Sequence, residues 1–279
     1  MPVTAQDIIS DEDVKQTLEV RTEQMYQFRR AFREDDATDI NSGSKTFPQA
    51  VDEVRGSMDQ VTEESDYPEA SMNYEGIQAN YEKEGFIIRV SDEAVSDSVF
   101  DIVMDVTEQM GVAAEKRLDA KAFSLLDPNG AANLNSNGPI GTDSNDLNFA
   151  ALVDGYTTLV EDEFVPSDFE LYCSPDAWGD LAKDDNFNRA TDQGDALARN
   201  GMLAEGFGVT IAMTNTGDLG DDEALLVDTG RYGYESTRWN REVSSEYDFD
   251  SDETKYKIRT RNDYVVMKDQ AAIFLQGGV

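Results

Sequence analysis

The sequence predicts an α+β fold. Three observations carry that expectation: a long helix-period segment at 91–130, an alternation of short strand and helix patterns over 146–235, and a strand-turn-strand pattern at 242–261. The chain divides accordingly into an N-terminal arm (1–44), an extended β-hairpin loop (45–90), the long helix (91–130), a linker loop (131–145), a mixed α/β region (146–235), further strands (236–268) and a terminal strand (269–279).

In the arm, Val14, Leu18, Met25, Phe28 and Phe32 recur at approximate helical spacing, which predicts an amphipathic helix over 11–36. It packs on a neighbour or on its own domain. Asn41, Ser42, Gly43 and Ser44 break it. Residues 45–90 are polar and acidic, with Phe47, Ala50 and Val54 isolated. Their clearest strands are 76–81 and 86–90, separated by 82–85. That pattern suits a two-stranded arm, which is marginal alone and needs a partner surface.

Ser91 is the expected N-cap of the long helix, with Asp92 and Glu93 in its first turn. Val95, Val99, Ile102, Val106, Met110, Ala113, Arg117 and Leu118 follow one side, continuing to Ala122 and Leu125, and Pro128 and Gly130 close it. About 35 residues at 1.5 Å each give roughly 50 Å. The stripe is too interrupted for a sustained coiled-coil heptad.

Beyond the loop, 147–161 reads as a helix, 169–173 as a strand, and Pro175 as the start of a helix carrying Trp178 and Leu181. A short helix is expected at 196–203 and strands at 209–213 and 224–228. Gly206 and Gly208 bracket Phe207 without the spacing of a dinucleotide fingerprint.

In the hairpin, Glu246, Asp248 and Asp250 alternate with Tyr247 and Phe249, and Lys255, Lys257 and Arg259 alternate with Tyr256 and Ile258. A two-residue turn at Asp252-Glu253 pairs Asp250 with Lys255, Asp248 with Lys257 and Glu246 with Arg259. It sets Phe249 against Tyr256 and Tyr247 against Ile258 on the other face. Strands at 264–267 and 271–275 follow.

Composition identifies the solvent. Against 58 acidic residues stand 23 basic ones, a net charge of -35, and there is no histidine. Such a surface repels itself in dilute buffer. At about 1 M salt the Debye length falls to roughly 3 Å and screens most of that repulsion. The sparse basic residues disfavour direct binding of nucleic acid. No apolar run is long enough for a membrane span, and 1–10 lack the features of a secretory signal, so cytoplasmic assembly is expected. Lone Cys173 excludes an intramolecular disulfide and reads as packing.

No catalytic, cofactor-binding or metal-ligating residue is assigned. Without histidine the common imidazole bases and zinc ligands are gone. Asp218, Asp221 and Asp222 lie near Gly217 and Gly220 without EF-hand spacing, and Asp35-Asp36 and Asp184-Asp185 read as solvated pairs. Ser174 has no recognisable base partner. An acidic metal-dependent hydrolase and a different shell or surface-layer subunit stay open as alternatives.

The order of parts, arm, acidic ribbon, long helix, α/β region, late hairpin and terminal strand, resembles the major capsid protein of tailed double-stranded DNA viruses, the HK97-like fold. The resemblance begins at Gly85-Phe86-Ile87-Ile88-Arg89-Val90-Ser91-Asp92-Glu93 and continues through Ala113-Ala114-Glu115-Lys116-Arg117-Leu118-Asp119. It runs on through Leu171-Tyr172-Cys173-Ser174-Pro175, Gly206-Phe207-Gly208-Val209 and the segment 259–275. The composition suggests a virus of halophilic archaea. The resemblance implies an extended loop (45–90) over a neighbour and a peripheral domain of spine helix (92–126) and sheet (242–266). It also implies an axial domain from 146–235 and the terminal strand 271–275. Implied partners are copies of the chain in hexameric and pentameric capsomers, with neighbours met through the extended loop and N-terminal arm. A separate scaffold, protease, portal and accessory or turret proteins are possible partners, and packaged DNA is enclosed without sequence-specific binding. No cofactor and no membrane are implied. The cross-linking known in one branch of that family is not assigned; Lys83 reads as an exposed lysine. A large fused scaffolding segment is not expected ahead of the ribbon.

Overall fold

The computed structural model describes residues 26–50, 73–98, 102–128, 130, 137–141, 146–164, 168–184, 205–206 and 209–277. Its strands are β1 (Phe32–Asp36), β2 (Ser44–Ala50), β3 (Tyr74–Asn80), β4 (Glu82–Ser91), β5 (Phe169–Cys173), β6 (Glu205–Gly206), β7 (Val209–Met213), β8 (Glu223–Asp228), β9 (Gly233–Asp248), β10 (Glu253–Val266) and β11 (Ala272–Gln276). The helices are α1 (Asp92–Asp97), α2 (Ile102–Leu126), α3 (Phe149–Glu161) and α4 (Pro175–Lys183).

They build a four-stranded sheet in the order β1-β9-β10-β4, a five-stranded sheet in the order β11-β8-β5-β7-β6, and a two-stranded ribbon of β2 and β3. In the first sheet β1 runs parallel to β9 and the other pairings are antiparallel. In the second only β5 and β7 are parallel. The main core lies where α3, α4, the end of α2 and the five-stranded sheet meet, filled by Leu126, Leu152, Leu159, Leu171, Tyr172, Leu181, Leu226 and Phe274. The expected strands at 169–173 and 209–213 form, and Pro175 opens α4 behind its N-cap Ser174, whose hydroxyl accepts from the Ala177 N–H. The expected helix at 196–203 and Phe207-Gly208 lie outside the described residues.

The arm departs from its expected form. Phe28–Ala31 is a 3-10 turn, and Phe32–Asp36 is strand, not helix. Residues 1–25 lie outside the described residues. Phe28 and Phe32, whose spacing suggested a helical face, are both buried in the main core of their own chain. Pairing with β9 wins over local periodicity here, because it satisfies the backbone groups along one whole side of the strand.

The long helix is also corrected. Ser91 caps as expected, accepting from the Ala94 N–H at 3.3 Å, but α1 ends after one and a half turns at Ser98, whose ψ of 140° is extended. Val95, Ser96, Asp97 and Ser98 are all weak helix formers. The long piece is α2, 25 residues or about 37 Å. Its buried stripe is Met110, Gly111, Ala114, Leu118, Ala122 and Leu126, so Ala113 and Arg117 stand outside it and Val95 is exposed.

The two predicted strands of the extended loop do not pair with each other. β3 pairs with β2, from Ser44↔Asn80 to Ala50↔Tyr74, and β4 pairs with β10 as an edge of the four-stranded sheet. The foot of the ribbon packs on its own body. Phe47, Ala79 and Tyr81 are buried with Val265, and Phe47 stacks on Tyr234 with ring centroids 5.3 Å apart. The four-stranded sheet is thus covered on one face by α2, through Met110 and Ala114 against Val243 and Ile258, and on the other by the ribbon foot.

The hairpin forms with a longer turn. Its loop is 249–252, with Asp252 at φ 48°, and the register is Glu253↔Asp248, Lys255↔Glu246, Lys257↔Ser244 and Arg259↔Glu242. Extra loop residues move every pairing by an even step, so the faces survive and the predicted partners do not. Lys255 reaches diagonally to an ion pair with Asp248, Arg259 forms one with Glu242 directly opposite, and Ile258 faces Val243. Phe249 does not meet Tyr256; it lies in the turn, 85% exposed. At the other end of β9, a Cβ on Gly233 would sit 2.2 Å from the Val265 carbonyl oxygen. Gly233→Ala is expected to cost about 1–3 kcal/mol through forced backbone displacement, read as a lowered urea midpoint with an unchanged slope.

Candidate functional site

Two features stand apart from ordinary packing: a buried ionic cluster beneath α2 and a set of exposed apolar groups on the hairpin tip and sheet edge. The cluster begins with Arg29 on the N-terminal turn. Its guanidinium bonds Glu115 of α2 and, through Nη2 and Nε, Glu235 of β9 at 2.9 and 3.1 Å. Arg241 reaches the second oxygen of Glu115 at 2.9 Å, and the Asn262 amide donates to Glu235 at 3.3 Å. Arg241 lies at a bulge of β9, with φ 40° between register shifts, which directs its side chain toward α2 while Trp239 joins Arg261 in the opposed pair.

Burial works against charge on Arg29, yet Glu235 and Glu115 hold it firmly protonated. Asp119, one turn after Glu115, is fully buried. Its Oδ1 accepts from the Arg29 N–H at 3.2 Å, while its Oδ2 has no partner. Burial pushes this carboxyl up to about 7, against the lowering effect of the Arg29 and Phe28 N–H groups. Tyr264 donates to the Leu118 carbonyl at 3.1 Å beside it. The arrangement ties the N-terminal turn, the long helix and the sheet into one body.

The second feature faces outward. Phe249 stacks edge-on against Tyr247 at 4.9 Å, and the single proton of the Tyr247 hydroxyl is shared between Asp92 at 2.9 Å and Asp252 at 3.2 Å. Those hydrogen bonds push the Tyr247 phenol up to about 12. On the edge strand β4, Ile87 is 55% exposed, and on the α2 side of the sheet an open groove of about 100 Å³ is lined by Phe86, Ala113, Ala114 and Ile258 with Glu84, Arg117 and Arg259.

Of the acidic pairs singled out in the sequence, Asp35, Asp36 and Asp184 have structural partners, and Asp185 lies outside the described residues. Asp35 pairs with Lys45, Asp36 accepts from the Thr38 N–H at 2.9 Å, and Asp184 accepts from the Phe149 N–H at 2.8 Å. Ser174 donates to the Asp221 carbonyl at 2.6 Å and caps α4. Cys173 is buried and its thiol is pushed up to about 12 by desolvation. Lys83 is exposed. A further grouping has no sequence spacing to signal it: Asp146, Asp180 and Asp222 bring carboxylate oxygens within 4.8 Å of one another, with Lys183 at 3.1 Å from Asp180. Carboxylate density alone produces such trios in so acidic a chain. Among the described residues no helix is long and apolar enough to cross a membrane.

Residues 77–274, from the ribbon through the hairpin to β11, match the family model described as phage capsid protein. The chain belongs to that family. Solved structures agree on the fold of this capsid protein. It superposes on the capsid structure of the cyanophage P-SCSP1u with a TM-score of 0.69 at 11% identity, covering 92% of this chain and 89% of that one. For Mycobacterium phage Che8 the TM-score is 0.68 at 13% identity, with 90% and 91% covered. For the virus-like particle from Pyrococcus furiosus it is 0.60 at 11% identity, with 95% and 98% covered. No curated protein sequence matches the chain. The α+β, HK97-like capsid fold expected from the order of parts therefore stands. The role is that of a self-assembling structural subunit of the virion, not of a catalyst.

Proposed function

We propose that this chain is the major capsid protein of a tailed double-stranded DNA virus of halophilic archaea. It forms hexamers and pentamers of an icosahedral shell that encloses the genome, assembled in the host cytoplasm. The observation that carries the reading is the match over 77–274, joined to a net charge of -35. In this reading α2 is the spine of a peripheral domain whose sheet is β1-β9-β10-β4. The five-stranded sheet with α3 and α4 is the axial domain. The β2–β3 ribbon reaches a neighbouring subunit, and its polar faces find burial there. Residues preceding Phe28 serve as the arm. The acidic wall and the DNA are separated by cations that brine supplies, and no base is read.

Negative-stain microscopy of the purified chain in molar salt tests this. Closed icosahedral particles or rings of five and six are expected; persistent monomers overturn it.

A second expectation follows from the charge. When salt is lowered from about 2 M to about 0.1 M, the Debye length grows from near 2 Å to about 10 Å, and repulsion between subunits returns. Light scattering should fall before the helical circular dichroism signal does. Simultaneous loss of both signals counts against separable assembly and folding.

A further inference from the structure

We propose that Asp119 is a proton-controlled latch: protonated, it holds the turn Phe28–Ala31 closed on the long helix, and ionised, it loosens that hold. Around Arg29 stand two guanidinium groups, Arg29 and Arg241, and two carboxylates that bond them, Glu115 and Glu235. Those four balance. Asp119 is a fifth ionisable group, fully buried, and its negative form has no cation left to pair with.

Its two oxygens tell the same story. Oδ1 takes the Arg29 N–H, the Phe28 N–H also favours the charged form, and Oδ2 is buried with no hydrogen-bond partner among the described residues. A carboxylate with an unsolvated orphan oxygen is costly, and a carboxylic acid with its proton there removes the charge. The remaining ionisable groups around it give no relief. They are Tyr26, the already committed Arg29 and Arg30, itself ion-paired with Glu170, from the N-terminal segment, Glu115 from α2, Tyr172 from β5 and Asp218 from the loop before β8, with Glu235 and Tyr264 of the sheet behind Arg29. All but the two committed arginines are acidic or phenolic.

The sign follows from linkage. Once the turn lifts off, Asp119 meets water and titrates near its ordinary value of about 3.9. Docked, it titrates near 7. The docked form therefore binds the proton more tightly. The latch is strongest below pH ~4, weakens as pH rises from ~4 to ~7, and changes little above that. Three pKa units correspond to roughly a thousandfold in the closing equilibrium. The contact held in this way is the root of the N-terminal segment, so the pH of the surroundings sets how firmly that segment is anchored. The inference concerns the single subunit and does not depend on the shell reading.

The test uses the full chain with aspartates labelled at the carboxyl carbon, at fixed molar salt. One aspartate is expected to titrate near pH 7; Asp119→Asn should remove that resonance and Glu115→Gln should move its midpoint down. In parallel, trypsin cleavage after Arg29 or Arg30 is compared between the native chain and Asp119→Asn. The native-to-variant rate ratio should rise tenfold or more from pH 5 to pH 8. Should Asp119→Asn fail to fold, the native titration and Glu115→Gln decide alone. A midpoint below 5 for every aspartate, or a rate ratio that stays flat, overturns the latch.

Discussion

Arg29→Met is expected to lower the stability of the subunit by about 3–5 kcal/mol. The substitution keeps most of the side-chain length and removes only the guanidinium. Glu115 keeps Arg241, but Glu235 loses its bidentate partner and retains no cation, only the Asn262 amide and the neighbouring Tyr264 hydroxyl. Glu235 is 3% exposed, so water does not replace what is lost. Removing one member of a buried pair leaves the other charge uncompensated, and that residue, more than the lost attraction, sets the cost. The double variant Arg29→Met with Glu235→Gln is therefore expected to recover a good part of the loss. Urea unfolding at fixed molar salt measures both. A single-variant loss under about 1 kcal/mol would mean that salt reaches the cluster and screens it.

That cluster was illegible in the sequence, and the reason is physical. Glu115 and Asp119 lie on a helix of a chain with 58 acidic residues, where any one carboxylate reads as solvated. One signal was present: the two sit four apart on the stripe that also holds Gly111, Leu118 and Ala122. The partner Arg29 is 86 residues from Glu115 and 206 from Glu235, and no local pattern joins them. Where local physics dominates, the sequence was informative. Ser91 and Ser174 cap as their neighbours suggest, and 169–173 and 209–213 are strands fixed by short apolar runs. The late hairpin falls between. A two-residue period survives a longer turn, so its charged and apolar faces were readable while its pairs were not. The pairing of β4 with β10, and of β3 with β2, rests on long-range competition for partners, which alternation alone does not rank.

Replacing residues 51–72 by a short Asn-Gly turn is expected to leave the folded subunit intact and to abolish the proposed particle. Among the described residues the contacts that seat the ribbon on its own body are Phe47 on Tyr234, buried Ala79 and Tyr81, Lys45 on Asp35, the Tyr81 hydroxyl 2.7 Å from Ser236 and, further out, the Gln49 amide donating to the Met267 carbonyl. None of them involves the replaced residues. Beyond the foot, burial along β3 falls away; Tyr74, Glu75 and Gly76 are exposed, Tyr74 by 63%. The replaced stretch carries seven carboxylates, Asp52, Glu53, Asp59, Glu63, Glu64, Asp66 and Glu69, against the single Arg55. A segment of that composition adds little to a core of its own. Its removal should therefore shift the unfolding midpoint by no more than surface substitutions do, within about 0.5 kcal/mol. The shell reading makes the opposite demand on assembly. If the ribbon's burial is found against sister molecules, each subunit loses a contact repeated around every ring, and weak contacts that succeed only together fail together. Sedimentation and microscopy in molar salt should then find monomers or isolated small oligomers, with native circular dichroism. Closed particles of ordinary size from the shortened chain would remove the ribbon from the assembly mechanism.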